Sequence, residues 1–195
     1  MFNLILCKDT NKIIGINNEL YIKIKKDMEY FTKITTKQYS NKENIIVMGY
    51  NTWNSIPLNY RPLKNRKNIV ITRNHNLEFN DIDTFVTIDN FIEWYQKNIS
   101  NYGNVFIIGG EKIYNEFMNK YSDMISKLYI TEVENKYIDI SKIENVKTFN
   151  HDLHNFKLIN SEKLSSEGYE YDFGLESKLL KEFTLVISYT TIHPD

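Results

Sequence analysis

At 195 residues, with 42% hydrophobic and 25% charged residues, the sequence has the size and balance of one globular domain rather than of a disordered chain. Its formal charge of -1 gives no overall attraction to nucleic acid or anionic lipid, and no run of about 18 apolar residues offers a membrane-spanning helix. Cys7 is the only cysteine, which excludes an intramolecular disulfide and fits a reducing compartment. The apolar N-terminal stretch is too short for a signal-peptide core and runs directly into Lys8 and Asp9, so a cytoplasmic chain is expected.

In chain order, short β-branched runs alternate with helical patterns. Phe2–Cys7 reads as a strand and is followed by a long loop, Lys8–Ile24, of a length more often functional than incidental. Lys25–Thr36 reads as a helix, with Met28, Phe31, Ile34 and Thr35 sharing one face. Asn44–Met48 is a strand and Thr52–Ile56 a short helix; the Pro57–Pro62 punctuation then leads to a strand over Asn68–Thr72. Thr84–Thr87 is a strand and Asp89–Ile99 a helix, with Asp89 or Asn90 placed to cap it. Asn104–Ile108 and Lys127–Val133 are strands flanking a helix at Glu111–Tyr121, and Phe156–Leu164 with Tyr169–Phe173 reads as a hairpin around Ser165–Gly168. This order predicts one α/β domain over residues 1–174, with a mostly parallel central sheet, an antiparallel C-terminal hairpin and flanking helices. Residues 175–195 stand apart as an extension, helix-like over Glu176–Phe183 and β-rich over Thr184–Thr191, which reads as a linker, an extra docked element or a dimer contact.

Three segments carry chemistry. Val105–Tyr114 is an apolar strand ending in Gly109-Gly110 before a helix; such a junction is either a tight turn or a site where free helix N–H groups meet an anion such as a pyrophosphate. Asp27, on the face of the first helix that carries Phe31 and Ile34, is either a cap or solvated charge, or a carboxylate lining an apolar cleft. In the cleft, desolvation raises its pKa and its two oxygens suit an amidine-like edge, such as the 2-amino and N3 positions of a pterin. Val47–Ile56 and Arg66–Arg73 bring two further strand ends with polar and basic residues, suited to flank a phosphate-bearing ligand.

Read together over about Phe2–Phe173, these motifs resemble the dihydrofolate reductase family in order and spacing. The resemblance is carried by Ile13-Ile-Gly15, by Asp27 with Phe31, and by Met48-Gly-x-x-Thr-Trp-x-Ser-Ile56. Pro62-Leu with Arg66-Lys-Asn, Ile108-Gly-Gly110 with Tyr114, and Tyr129-Ile-Thr131 continue it. It implies a dihydrofolate-reductase-like fold and reduction of dihydrofolate to tetrahydrofolate with NADPH, the proton reaching N5 through water. It implies Asp27 and Thr131 as the catalytic pair. The pterin and benzoyl pocket would be lined by Ile5, Cys7, Ile22, Phe31, Ile56, Leu63, Ile108 and Tyr114. Arg66 would hold the glutamate α-carboxylate bidentately. On the cofactor side it implies Cys7, Ile14, Gly15, Ile16 and Leu20 from the first strand and loop. Gly49, Tyr50, Asn51 and Thr52 would meet the phosphates from one side. Ile108, Gly109, Gly110, Glu111, Lys112, Ile113 and Tyr114 would meet them from the other, with the Gly-Gly peptide cis. Thr72, Arg73 and Asn74 would receive the 2′-phosphate, although Arg73 alone also reads as a solvated charge at a strand end. No metal is implied.

The chain departs from the family pattern at Tyr21-Ile22, where a Pro-Trp or Pro-Leu type pair is usual, and at Tyr50, usually basic. It also reads Glu134-Asn-Lys-Tyr-Ile-Asp139 where a Gly-Asp-Thr segment steadies the flexible loop, so loop closure is expected to differ. Two rivals stand beside this reading: a riboflavin-pathway reductase of the same fold, and a non-catalytic nucleotide-binding protein. Asp27 with Phe31 and Thr131 argues against the first. The resemblance further implies dihydrofolate and antifolate inhibitors as ligands, a monomer, no nucleic-acid or membrane partner, and fusion to or association with thymidylate synthase as one use of the tail.

Overall fold

The computed structural model describes residues 1–38, 41–74, 82–133, 143–172 and 177–191, with side chains described up to residue 162. Its strands are β1 (Phe2–Asp9), β2 (Ile13–Ile16), β3 (Glu19–Leu20), β4 (Asn44–Gly49), β5 (Arg66–Ile71), β6 (Asp83–Phe85), β7 (Val105–Ile107), β8 (Ile125–Val133), β9 (Val146–Thr148), β10 (Phe156–Asp172) and β11 (Ser177–Thr191). Its helices are α1 (Lys25–Thr36), α2 (Tyr50–Ser55), α3 (Ile88–Asn98) and α4 (Glu111–Lys120). The main sheet has eight strands in the order β10-β11-β8-β1-β7-β4-β5-β6. Pairing is parallel from β6 through to β8 and antiparallel from β8 to β11 to β10.

The central strands read as unbroken apolar runs because both their faces are covered: Ile45, Ile46, Val47 and Met48 are all fully buried. Strand order and crossover handedness explain how. The chain passes from β1 through α1 to β4 in one direction, and from β7 through α4 back past β1 to β8 in the other. Right-handed crossovers running in opposite directions put α1 and α4 on opposite faces. The core divides accordingly. Phe91 and Tyr95 of α3 and Tyr114 and Phe117 of α4 pack with Phe2, Leu4 and Ile107 on one face. Tyr30, Phe31 and Ile34 of α1 and Trp53 of α2 pack with Ile5, Met48 and Phe106 on the other.

The predicted α/β class, the parallel sheet and its antiparallel end are present, and α1 has the expected bounds. Four expectations are corrected. The reversal expected at Ser165–Gly168 is a bulge inside one long strand, β10, where the register shifts between Ser165 and Tyr169. The hairpin is made instead with 177–191, the segment set apart as an extension: β11 lies between β10 and β8. Sheet pairing there overrides the helical propensity of its Glu, Lys and Leu residues. The cap of α3 is Thr87, whose hydroxyl accepts the Asn90 N–H, two and three residues before the predicted Asp89 and Asn90. On α1, Met28 is exposed, and Asp27 and Thr35 are the buried positions.

Candidate active site

Adjacent parallel strands whose connections leave to opposite faces open a crevice at their carboxyl ends. Here those strands are β1 and β7, whose pairing stops at Leu4 and Ile107. Beyond that point the Ile5 carbonyl accepts the Tyr114 hydroxyl of α4 at 2.8 Å. Tyr114, expected at both substrate and cofactor, packs its ring in the α4-face core and holds its hydroxyl on Ile5, within electrostatic reach of Asp27 and Cys7.

Gly109 and Gly110 turn the chain from β7 into α4, and the peptide between them is cis. Gly109 has φ +109°, and a Cβ there would sit 2.9 Å from the Tyr114 ring; only glycine fits both conditions. Its carbonyl accepts the Gly49 N–H at 2.7 Å, joining this turn to the end of β4. A Cβ on Gly110 would lie 3.1 Å from Thr52 Oγ1 of α2. The turn is thus a cradle floored by backbone. Helix α4 starts from it with no side-chain cap, leaving its first N–H groups for an anion.

Across the crevice, Asp27 lies in the first turn of α1, 6% exposed, and accepts the Thr131 hydroxyl of β8 at 2.5 Å. Burial lifts its pKa from the ordinary 3.8 to about 6, against the opposing pull of the Thr131 hydrogen bond. Ile5, Phe31, Ile56, Leu63 and Ile108 share one apolar cluster, and the last four are half-buried, so they wall an open groove. Ile22 and Cys7 meet in a neighbouring cluster with Ile13, Ile16, Ile24 and Val133. Burial, with Asp27 and Asp9 adding to it, pushes the Cys7 thiol up, so it stays neutral.

At the far end of the groove Arg66 is 8% exposed. It donates to Thr35 Oγ1 at 2.7 Å and to the Lys64 carbonyl at 3.0 Å, and its guanidinium carbon lies 5.6 Å from the Phe31 ring centroid. Among the described residues no carboxylate pairs with it. Burial lowers its pKa, as for any cation taken from water. A buried, positioned and unpaired guanidinium is built to receive an anion. Helical spacing placed Thr35 on the apolar face of α1, but nothing local marks it as the partner of Arg66, 31 residues away; its hydroxyl also donates to the Phe31 carbonyl.

The loop expected over Lys8–Ile24 is partly ordered as strands. β2 pairs with β3 and, antiparallel, with β9, with Gly15 opposite both Leu20 and Lys147. Asn17 accepts from and donates to Asn145, and Phe149 donates to the Lys12 carbonyl. The stretch 134–139, expected in place of the steadying segment, lies outside the described residues; the segment facing the loop is Asn145–Phe149. Asn145 has φ +55°, which a small polar residue tolerates. Glu111 turns its carboxylate to β9, accepting the Thr148 N–H at 2.8 Å, so only its backbone remains to face a phosphate. Of the other cofactor-side residues, Ile14 is half-buried and Ile16 buried, while Leu20 and Asn51 are exposed. Asn51 donates to Asn18 at 3.4 Å, bridging α2 to the loop. Tyr50 packs at the rim of the groove, and Ile113 is buried beneath Gly49. Thr72 is half-buried at the end of β5 and accepts the Asn74 N–H at 3.1 Å, while Arg73 and Lys112 are exposed. Among the described residues no group of three or more metal-ligating side chains gathers, and no helix is long and apolar enough to cross a membrane.

The fold and the crevice define an α/β protein with a crevice at the switch point of its sheet, glycine-floored on one side and bearing the buried Asp27 carboxylate on the other. The family profile described as dihydrofolate reductase matches residues 1–177. A dihydrofolate reductase of Candida albicans is 38% identical over 122 residues, covering 62% of this chain and 62% of that protein. The chain thus spans about three fifths of that relative. A dihydrofolate reductase of Heliothis virescens is 33% identical over 170 residues, covering 85% and 88%. The solved structure of Schistosoma mansoni dihydrofolate reductase superposes with a TM-score of 0.75 at 25% identity, covering 98% of each chain. The chain belongs to the dihydrofolate reductase family.

Proposed function

We propose that the protein reduces 7,8-dihydrofolate to 5,6,7,8-tetrahydrofolate with NADPH. The observation that carries this reading is Asp27: a buried carboxylate, fixed by Thr131, facing an apolar groove that ends at a buried arginine with no carboxylate partner among the described residues. The groove matches the substrate in sequence, with a hydrogen-bonding edge, a flat apolar body and a terminal carboxylate. The cradle at Gly109-Gly110 and the uncapped start of α4 fit a dinucleotide pyrophosphate, since neither glycine carries a side chain to cover the backbone there and the first N–H groups of the helix have no side-chain acceptor. When bound, the nicotinamide supplies the hydride. The chain's residues do the rest. Asp27 accepts hydrogen bonds from the 2-amino and N3 edge of the pterin, and its pKa near 6 lets it hold a proton close to neutral pH. Thr131 fixes the carboxylate's orientation, and Ile5, Phe31 and Ile22 exclude bulk water around it. The proton for N5 comes through water, because Asp27 holds the opposite edge of the ring.

The deciding experiment follows absorbance loss of NADPH with dihydrofolate as substrate. Intact NADPH binding without turnover would count against the reading. Cofactor choice is assigned to Arg73, exposed beside Thr72 at the end of β5. Arg73→Gln is expected to raise KM for NADPH about tenfold and leave KM for NADH unchanged, as loss of one charge-assisted contact predicts. An equal rise for both cofactors would remove Arg73 from the 2′-phosphate site.

A further inference from the structure

We propose that Asp9 and Tyr21 form a latch that holds the loop between β1 and α1 closed over the cleft, which makes Tyr21 a positioning residue for the reaction. This rests on the functional reading above. Asp9 ends β1 and is fully buried. Its Oδ1 accepts the Ile13 N–H at 2.8 Å, where β2 begins. Its Oδ2 accepts the Tyr21 hydroxyl at 3.2 Å, from the returning arm of the loop, and the Asn11 amide at 3.3 Å. One carboxylate therefore clasps both arms to the end of β1.

The outgoing arm has a second tether, the β2–β9 ladder. Glu19 and Leu20 of the returning arm are exposed and pair with β2, and Tyr21, Ile22 and Ile24 carry that arm into the core, Tyr21 being the one of the three whose side chain has a hydroxyl to reach Asp9. A carboxylate taken this far out of water is stable only with its hydrogen bonds made, so losing the Tyr21 donor favours opening of the loop. The consequence reaches the site through packing. Ile22, next to Tyr21, is 3% exposed and packs in the cluster that holds Cys7. Cys7 is the β1 residue opposite Thr131, the hydrogen-bond partner of Asp27. Tyr21, one of the departures from the family pattern, thus takes over the task of holding Ile22 in the wall.

Tyr21→Phe in the full chain tests this, because it removes the hydroxyl and keeps the ring. Amide exchange over residues 10–24 is expected to quicken about tenfold or more, the scale of a lost hydrogen bond to a charged group, while β4 and β7 keep their protection. NADPH release is expected to become several-fold faster and single-turnover hydride transfer several-fold slower, with little change in KM for dihydrofolate. Asp9→Asn keeps an oxygen for the Ile13 N–H and turns an amide N–H toward the Tyr21 hydroxyl oxygen, which can accept it, so it is expected to move the same readouts in the same direction by less. Unchanged loop exchange, or exchange raised evenly across the sheet, overturns the latch. Faster loop exchange with unaltered release and hydride transfer overturns the positioning role. Lack of wild-type turnover with dihydrofolate refutes the functional reading by itself, and the exchange pattern still decides the latch.

Discussion

Replacing Asp27 by Asn is expected to slow hydride transfer at pH 7 by about 10²–10³-fold, the usual scale for removing a positioned acid or electrostatic group. NADPH affinity is expected to stay within about twofold, because the glycine cradle lies on another element and shares no partner with Asp27. Asn keeps an oxygen for the Thr131 hydroxyl and nearly the same volume, so the substitution isolates the ionisable group. The proposed reaction consumes a proton, so kcat/KM of the wild-type chain is expected to fall as pH rises through about 6, where Asp27 ionises. Asp27→Asn removes that inflection. Stopped-flow measurement across pH 5–9 checks both, and equal losses of turnover and cofactor affinity would undermine the assignment.

The same substitution carries a stability signature of opposite sign. In the unfolded chain the carboxyl titrates near 3.8, in the fold at about 6. Between these values the native state holds the extra proton, so this group's contribution falls as pH rises through the window and is fully unfavourable above it. The shift corresponds to about 3 kcal/mol as an order of magnitude. Asp27→Asn is therefore expected to be more stable than wild type at pH 7–8 and to lose that advantage below about pH 4. Urea titrations at the two pH values read the difference directly.

Arg66→Gln is expected to raise KM for dihydrofolate by about 30- to 1,000-fold with kcat within a few-fold, because one half of a buried charge pair is then missing. Folding is expected to be unaffected or slightly favoured, since the buried cation has no carboxylate partner among the described residues. A substrate analogue ending at the benzoate, without glutamate, makes the comparison specific. Wild type and variant should bind it equally. A matching loss with the truncated analogue would mean that Arg66 acts through the wall at Phe31 and Thr35 instead.

Much of this was legible in the sequence wherever the physics is local. The buried parallel strands declare themselves as β-branched runs, since both faces of Ile45–Met48 are covered. Helix α1 was readable from spacing, and Gly109-Gly110 from a strand-to-helix junction that tolerates no side chain. The ordered set of motifs also pointed to the family, because the motifs fall on separate elements, from β2 and α1 through the ends of β4 and β7 to β8, and keep their order.

What the sequence could not carry is pairing between distant segments. Nothing near Asn145–Thr148 marks it as the partner of Ile13–Ile16, because antiparallel ladders are chosen by backbone geometry and their side chains are left largely free. The helical reading of the tail gives way for a related reason: 177–191 becomes a strand because the open edge of β8 needs a partner, and local propensity yields to that pairing. Asp27, Arg66, Asp9 and Thr35 are ordinary polar residues in the chain. Burial, set by which elements close over them, gives Asp27 its raised pKa, leaves Arg66 awaiting an anion and makes Asp9 the clasp of the loop. Residue identity and local spacing thus determined the family and the list of candidates. Only the tertiary structure decided how far each charge is withdrawn from water, and that withdrawal is what gives these residues their chemistry.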